Sequence, residues 1–265
     1  MKEVLSEERL RNDLHVHSDI SLCGQHGYFV LYREARRFGL DSIAITDHGP
    51  DLGGDPIPST WLDYQRTPAE MEGVRVFRGI EANLRIDGTT DVPKMYEKQL
   101  DLVLLGLHAT KDNQRTYKYL PPKQSVLLFT GAGENYYTER LLDAINRGGI
   151  DIITHPSIKK FPLCMDAVVE ACKEKGIALE FNNSIIILKR KYSPEKTKEL
   201  IDAVNKYTPR IVISSDAHCY KELGRMDGVK RVLREHPIEA EVELVNATLE
   251  STEAFVKERK ALRQK

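Results

Sequence analysis

The chain has 265 residues, 41% hydrophobic, 30% charged and 7% aromatic, with a formal net charge of −1. This composition excludes a disordered chain, and the near-neutral charge gives no overall electrostatic footprint for nucleic acid. The length suits one sizeable core, and an α/β barrel needs roughly 250 residues.

The N-terminal "MKEVLSEERLRND" is charged and lacks the apolar segment of a signal peptide. No apolar run approaches the ~20 residues of a membrane span. The four cysteines, Cys23, Cys164, Cys172 and Cys219, form no close pair. The expectation is a reduced, cytoplasmic protein with no membrane partner.

Short apolar runs alternate with helical patterns along the chain. "DLHVH" reads as a strand, "YFVLYREARRFG" as a helix ended by Gly39, and "DSIAITDHG" as a buried strand closed by Gly49-Pro50. "VRVFRGIEAN" and "LDLVLLGLHA" are further strands, with a hairpin around Asp87-Gly88 between them. An irregular region spans roughly residues 110–133. Then come helix "NYYTERLLDAINRGG", strand "IDIITHP", helix "MDAVVEACKEKG", strand "IALEFNN", helix "SPEKTKELIDAVNKY" and strand "PRIVISSDAH". "DGVKRVLREH" and "STEAFVKERKAL" are helical patterns in the tail. There is no internal repeat or linker. One domain over residues 1–265 is expected, with a core at about 12–220 and a helical tail at 221–265.

About seven strands separated by helices, with continuous apolar runs, fit parallel strands covered on both faces. No glycine-rich phosphate loop follows the first strand, as an open dinucleotide-binding sheet would have. Nearly every strand instead ends in a potential metal ligand: His15 and His17, then Asp47 and His48, Glu81, His108, His155, and finally Asp216 and His218. In a barrel these ends share one face. Residues two apart on a strand point to the same side, so His15 with His17, and Asp216 with His218, can act in pairs. Isolated histidines are often hydrogen-bonded core residues. Six of them at the ends of five strands, with two carboxylates at equivalent places, fit a metal centre better. Histidine plus carboxylate favours zinc first, with manganese or iron as alternatives. The donors outnumber what one ion uses, so two or three divalent ions are expected, with Glu81 able to bridge.

"DLHVHSDIS", "AITDHGP", "RGIEAN", "LLGLH", "IITHP", "LEFNNS" and "SSDAH" resemble, in order, the motifs of the PHP (polymerase and histidinol phosphatase) superfamily, and of its YcdX-type bacterial phosphatases in particular. The resemblance implies a distorted (β/α)7 TIM-like barrel with a trinuclear metal site at the C-terminal ends of the strands. It implies that His15, His17, Glu81 and Asp216 hold one ion, and Glu81, His108 and His155 a second. His48 and His218 would hold a third with a histidine from the loop after the first strand. Here the family's loop position is Cys23, and His26 comes three residues later. His26 is taken as the loop ligand if the loop carries an insertion; Cys23 is the alternative.

The expected activity is metal-dependent hydrolysis of a small phosphate monoester. A metal-held hydroxide attacks phosphorus, and Glu81 and Asp216 are the central catalytic side chains. Cationic anchors for the phosphate are sought in Lys111 and Arg115, with Lys118 and Lys123 nearby, and in Lys189 and Arg190, with Lys191 beside them. Arg78, three residues before Glu81, should face away. Asp47 either orients a histidine or secures the turn at Gly49. The rival readings are an amidohydrolase-like hydrolase, a PHP-type nuclease acting on phosphodiesters, and a non-catalytic metal-stabilised module. A glutamate at the bridging place and Asp-x-His on the last strand favour the phosphatase, and the near-neutral charge argues against a nucleic-acid substrate.

Overall fold

A computed structural model describes residues 1–52, 66–110 and 131–265 of the chain. Seven parallel strands form its centre: β1 (Asn12–Val16), β2 (Ser42–Ile45), β4 (Val74–Asn83), β5 (Leu102–Gly106), β6 (Ile152–Ile153), β7 (Ala178–Asn182) and β8 (Ile211–Ser214). They lie side by side in chain order. A two-residue strand, β3 (Glu70–Met71), pairs antiparallel with the start of β4. Beyond β8 the backbone of Ala217 pairs with Val16 of β1, which closes the sheet on itself. The fold is therefore the expected seven-stranded α/β barrel.

The strands are buried on both faces, as their unbroken apolar runs require. Helices cover the outside, and their ends carry ordinary capping residues. Ser193 accepts from Lys196 N and Pro194 opens the helix Pro194–Tyr207. Gly176, at φ 63°, closes the helix Met165–Lys175 in the left-handed conformation that glycine adopts most easily. Around Asp87-Gly88 the backbone turns as a hairpin, with Arg85 N bonded to Thr89 O. A short helix over Asn183–Ile187, capped by the Asn182 side chain, lies where no helix was expected.

The barrel interior divides along its axis. The lower half is apolar: Leu14, Ala44, Phe77, Leu102, Leu104, Ile152, Ala178 and Val212 form one buried cluster. The same cluster takes in Phe255 and Val256 of the C-terminal helix Leu249–Gln264. The segment expected as a helical tail therefore helps close the bottom of the barrel. From that helix, Arg259 Nε reaches Asp151 Oδ1 at 3.2 Å, and Arg263 also pairs with this fully buried carboxylate. Arg263 Nη2 donates to the carbonyls of Leu100 and Asp101, so the pair is also hydrogen-bonded to the backbone entering β5.

The upper half is polar, and a bulge prepares the change. Asp13 pairs with Ile43 but Val16 with Ile45, so β1 carries one extra residue against β2. That residue shifts the side-chain alternation, so Leu14 joins the apolar interior while His15 also faces inward, against Glu81 and Glu180.

Candidate metal centre

Glu81 lies at the centre of the upper layer, 1% exposed. Five imidazoles surround its carboxylate. His48 Nδ1 is 2.8 Å from Oε2, His155 Nε2 is 2.9 Å from Oε1 and His108 Nε2 is 3.3 Å from Oε1. His15 Nε2 and His17 Nε2 are each 3.5 Å from Oε2. Thr154 Oγ1 donates to Oε1 at 3.0 Å. Asp216 Oδ1 is 3.3 Å from His17 Nε2 and 3.6 Å from His15 Nε2, and His218 Nδ1 is 3.5 Å away. Among the described residues, three trios of donor atoms each lie within 4.8 Å of one another: His15, His17 and Asp216; His48, Glu81 and His108; and His17, His48 and His218. His155 approaches Glu81 without joining a trio.

The backbone is strained where it serves this layer. His155 and Asp216 adopt φ values of 33° and 55°, in a region non-glycine residues seldom occupy. Gly106 is bare for a steric reason: a Cβ there would lie 2.5 Å from His108 Cε1 and 2.9 Å from Glu81 Oε1. The end of β5 thus yields its side-chain space to the cluster.

Polar residues behind the cluster fix its rings. Glu180 accepts from His15 Nδ1 at 2.7 Å and from Ser214 through Oε1, and from His155 N and Asn182 Nδ2 through Oε2. Asn83 Oδ1 bonds His108 Nδ1 at 2.8 Å. Asn182 Nδ2 donates to Asp216 Oδ2. Asp47 accepts from Ser18 N, Ser18 Oγ and Ser21 Oγ, and Ser21 Oγ lies 2.9 Å from His17 Nδ1. Asp47 thus acts on a histidine through Ser21, and the loop it secures is the one after β1 rather than the turn at Gly49. Glu180 was not singled out from the sequence, although an acid within the apolar run "IALEF" signals a buried carboxylate with a task.

Electrostatics follow from this crowding. Burial opposes charge on Glu81, but His108, His15 and His48 outweigh it and hold its pKa well below the carboxylate range. Burial likewise disfavours charge on Asp216, yet His15 and a hydrogen bond with His17 keep its pKa low. Desolvation and the neighbouring His48 depress His17 to about 3, leaving a neutral ring with a free lone pair. Burial also lowers His108. Against the same desolvation, carboxylates hold His15 high, and Glu81 and Cys23 raise His48 to about 10. Divalent cations would supply that positive charge in place of protons on His15 and His48.

The donor set fits such ions on a further observation. Among buried nitrogens, His155 Nδ1 has no hydrogen-bond partner, and His48 Nδ1 faces Glu81 Oε2 at 2.8 Å without the alignment of a hydrogen bond. His15 Nε2 and His17 Nε2 also face each other at 3.0 Å. Close, poorly paired nitrogens facing carboxylate oxygens are arranged as ligands share a cation.

The loop after β1 separates the two residues considered as its ligand, Cys23 and His26. Ser18 caps a short 3₁₀ turn, Asp19–Ser21, and Leu22 follows at φ 59°. This places Cys23 against His48 and His218; burial raises its thiol, but hydrogen bonding to those two rings outweighs that and lowers it to about 6. His26 stands apart. Its carbonyl accepts from Asp19 N and its ring packs on Tyr220 at 5.1 Å between centroids.

A cleft of about 370 Å³ opens above the cluster. Glu81, His108, His155 and Asp216 line its floor, Leu22, Leu52, Ile158 and Ile185 its walls. Lys191 also lines it, whereas Lys189 and Arg190 are exposed and absent from the lining: the turn after the helix Asn183–Ile187 brings in only the third of the three cations. Lys111, Arg115, Lys118 and Lys123 lie outside the described residues. Arg78 pairs with Asp101, away from the cluster as expected. No described helix is long and apolar enough to cross a membrane.

Comparison with known proteins agrees with this geometry. The chain is 32% identical over 253 residues to a probable phosphatase of Acetivibrio thermocellus, covering 94% of this chain and 95% of that one. It is 30% identical over 256 residues to a probable phosphatase of Caldanaerobacter subterraneus subsp. tengcongensis, covering 95% and 93%. Its fold matches the crystal structure of the histidinol phosphate phosphatase of Lactococcus lactis, solved with zinc, L-histidinol and phosphate. The TM-score is 0.55 at 14% identity, over 95% of this chain and 94% of that one. Residues 13–184 match the PHP domain model, and with the barrel and its histidine-rich upper layer this makes the chain a member of the PHP domain family.

Proposed function

We propose that the protein is a metal-dependent phosphoesterase that hydrolyses a small phosphate monoester at a centre of two or three divalent ions. The observation that carries this reading is one buried carboxylate, Glu81, with five imidazole nitrogens within 3.5 Å on the floor of a small cleft. The names of the relatives and the zinc and phosphate in the Lactococcus lactis structure support it. His15, His17, Glu81 and Asp216, then Glu81, His108 and His155, then His48 and His218, would hold the ions, zinc first, with manganese or iron as alternatives. Bound ions of this kind acidify a water and neutralise the charge that gathers on phosphoryl oxygens.

The chain's own residues do the rest. Glu180 keeps the proton of His15 on Nδ1, so Nε2 presents its lone pair to the cluster. Asn83 orients His108 in the same way. Glu81 and Asp216 supply the negative charge that retains the ions. Lys191 offers a point charge to the phosphate, and the apolar walls hold the alcohol part of the ester and limit water. A cleft of about 370 Å³ suits a small ester rather than a polymer.

The test is a panel of p-nitrophenyl phosphate, a phosphodiester, a labelled oligonucleotide, a lactone and an amide, each with added zinc or manganese. Monoester hydrolysis should dominate, and Glu81→Gln should lower it by about a hundredfold or more. Dominant lactone, amide or oligonucleotide cleavage, or wild-type turnover in Glu81→Gln, contradicts the reading.

A further inference from the structure

We propose that Cys23 is a protein ligand of the third ion, as a thiolate beside His48 and His218, and that this position therefore selects a thiophilic cation such as zinc. The proposal rests on the reading of the cluster as a metal centre and specifies its least regular part.

The loop brings Cys23, which is exposed, to the cleft that His48 and His218 line. Cys23 N donates to Ser21 O at 2.7 Å, and Gln25 N donates to His218 O at 2.9 Å, which ties the loop to the end of the last strand. Gly24 lies so close to the backbone that a Cβ there would fall 2.0 Å from Ser18 O, so the loop packs directly on the residues after β1. Cys23 lines the same cleft as His48 and His218.

A second observation points to a ligand independently of the thiol. The His48 side chain is nine-tenths buried, and its Nδ1 has no hydrogen-bond partner although it faces Glu81 Oε2. His17, His48 and His218 present donor atoms within 4.8 Å of one another with no carboxylate among them. A hard cation gains little from such a set. Imidazoles joined by one sulfur suit zinc, whose structural and catalytic sites commonly mix these ligands. The other two trios contain Asp216 or Glu81 and so accept harder ions. One chain thus offers two kinds of position, and only one of them has sulfur.

The experiment is a titration of metal-stripped full-length protein with cobalt(II) and cadmium(II). It follows the number of ions bound and the near-ultraviolet thiolate-to-metal charge-transfer absorbance. Wild type, Cys23→Ser, Cys23→His, Cys219→Ser and His26→Ala are compared, with circular dichroism confirming the fold of each. The expected result is a charge-transfer band that disappears in Cys23→Ser and Cys23→His but persists in Cys219→Ser and His26→Ala. Cys23→Ser should also bind one fewer ion after desalting, and Cys23→His should recover it without the band. Ions bound with no band in wild type, or a band that survives Cys23→Ser, overturns the inference while the metal centre stands. A protein that binds no ions overturns both.

Discussion

Glu180 has no direct place in any donor trio, yet its replacement by glutamine should damage the centre. Its carboxylate accepts four hydrogen bonds: His15 Nδ1 and Ser214 Oγ on Oε1, and His155 N and Asn182 Nδ2 on Oε2. An amide can accept on one side only. The backbone N–H of His155 cannot change role, and Asn182 is fixed because its oxygen caps Ile185 N. The amide oxygen therefore takes that side, and its NH2 faces His15 and Ser214. His15 can accept this donor only by moving its proton from Nδ1 to Nε2, which removes the lone pair aimed at Glu81 and Asp216. Loss of such a supporting partner weakens metal affinity about 10- to 100-fold, or roughly 1.4 to 2.8 kcal/mol. Competition against a chromophoric chelator measures the affinity, and nitrogen-15 spectra of the His15 ring report the tautomer. Unchanged affinity with the proton still on Nδ1 would refute the argument.

Three other outcomes are expected. Lys191→Ala should raise KM about tenfold with little change in kcat, while Lys189→Ala and Arg190→Ala leave both within twofold, about the loss of one charge-assisted contact; steady-state kinetics on p-nitrophenyl phosphate decides. Arg263→Met leaves Asp151 with one of its two buried cations and should cost about 3–5 kcal/mol, read by urea unfolding; a loss under about 1 kcal/mol would mean the C-terminal helix matters less than its contacts imply. Burial opposes charge on Asp101, but Lys260 and Arg78 outweigh it and lower its pKa. A depressed carboxylate contributes stability that is present above its unfolded pKa and lost as pH falls through the folded one. Wild type should therefore lose on the order of 1 kcal/mol more than Asp101→Asn between about pH 5 and pH 2 in acid-unfolding curves.

The strands and most helices were legible because the barrel uses unbroken apolar runs such as "SIAI" and "RIVIS", and because Gly39 and Gly49-Pro50 punctuate them plainly. The histidines could be placed because strand ends in a barrel converge. What could not be read was tertiary. Gly106 looks like any strand-end glycine until His108 and Glu81 fill its space. The bulge in β1 leaves no mark in "DLHVH", and simple alternation predicts Leu14 on the opposite face from His15. Arg259 and Arg263 read as the solvated side of a surface helix, but the barrel floor draws them to Asp151. In "SLCGQH" the positions of the sulfur and the imidazole follow the left-handed turn at Leu22, which spacing alone does not encode.

The central claim is that these side chains hold a polynuclear metal centre. An anomalous-scattering map from crystals of the purified protein, collected at the absorption edges of zinc, manganese and iron, tests it directly. The account predicts two or three peaks among His15, His17, His48, Glu81, His108, His155, Asp216 and His218, one of them in contact with Cys23. A map with no peak among these residues, from protein that still hydrolyses a phosphate monoester, would contradict it.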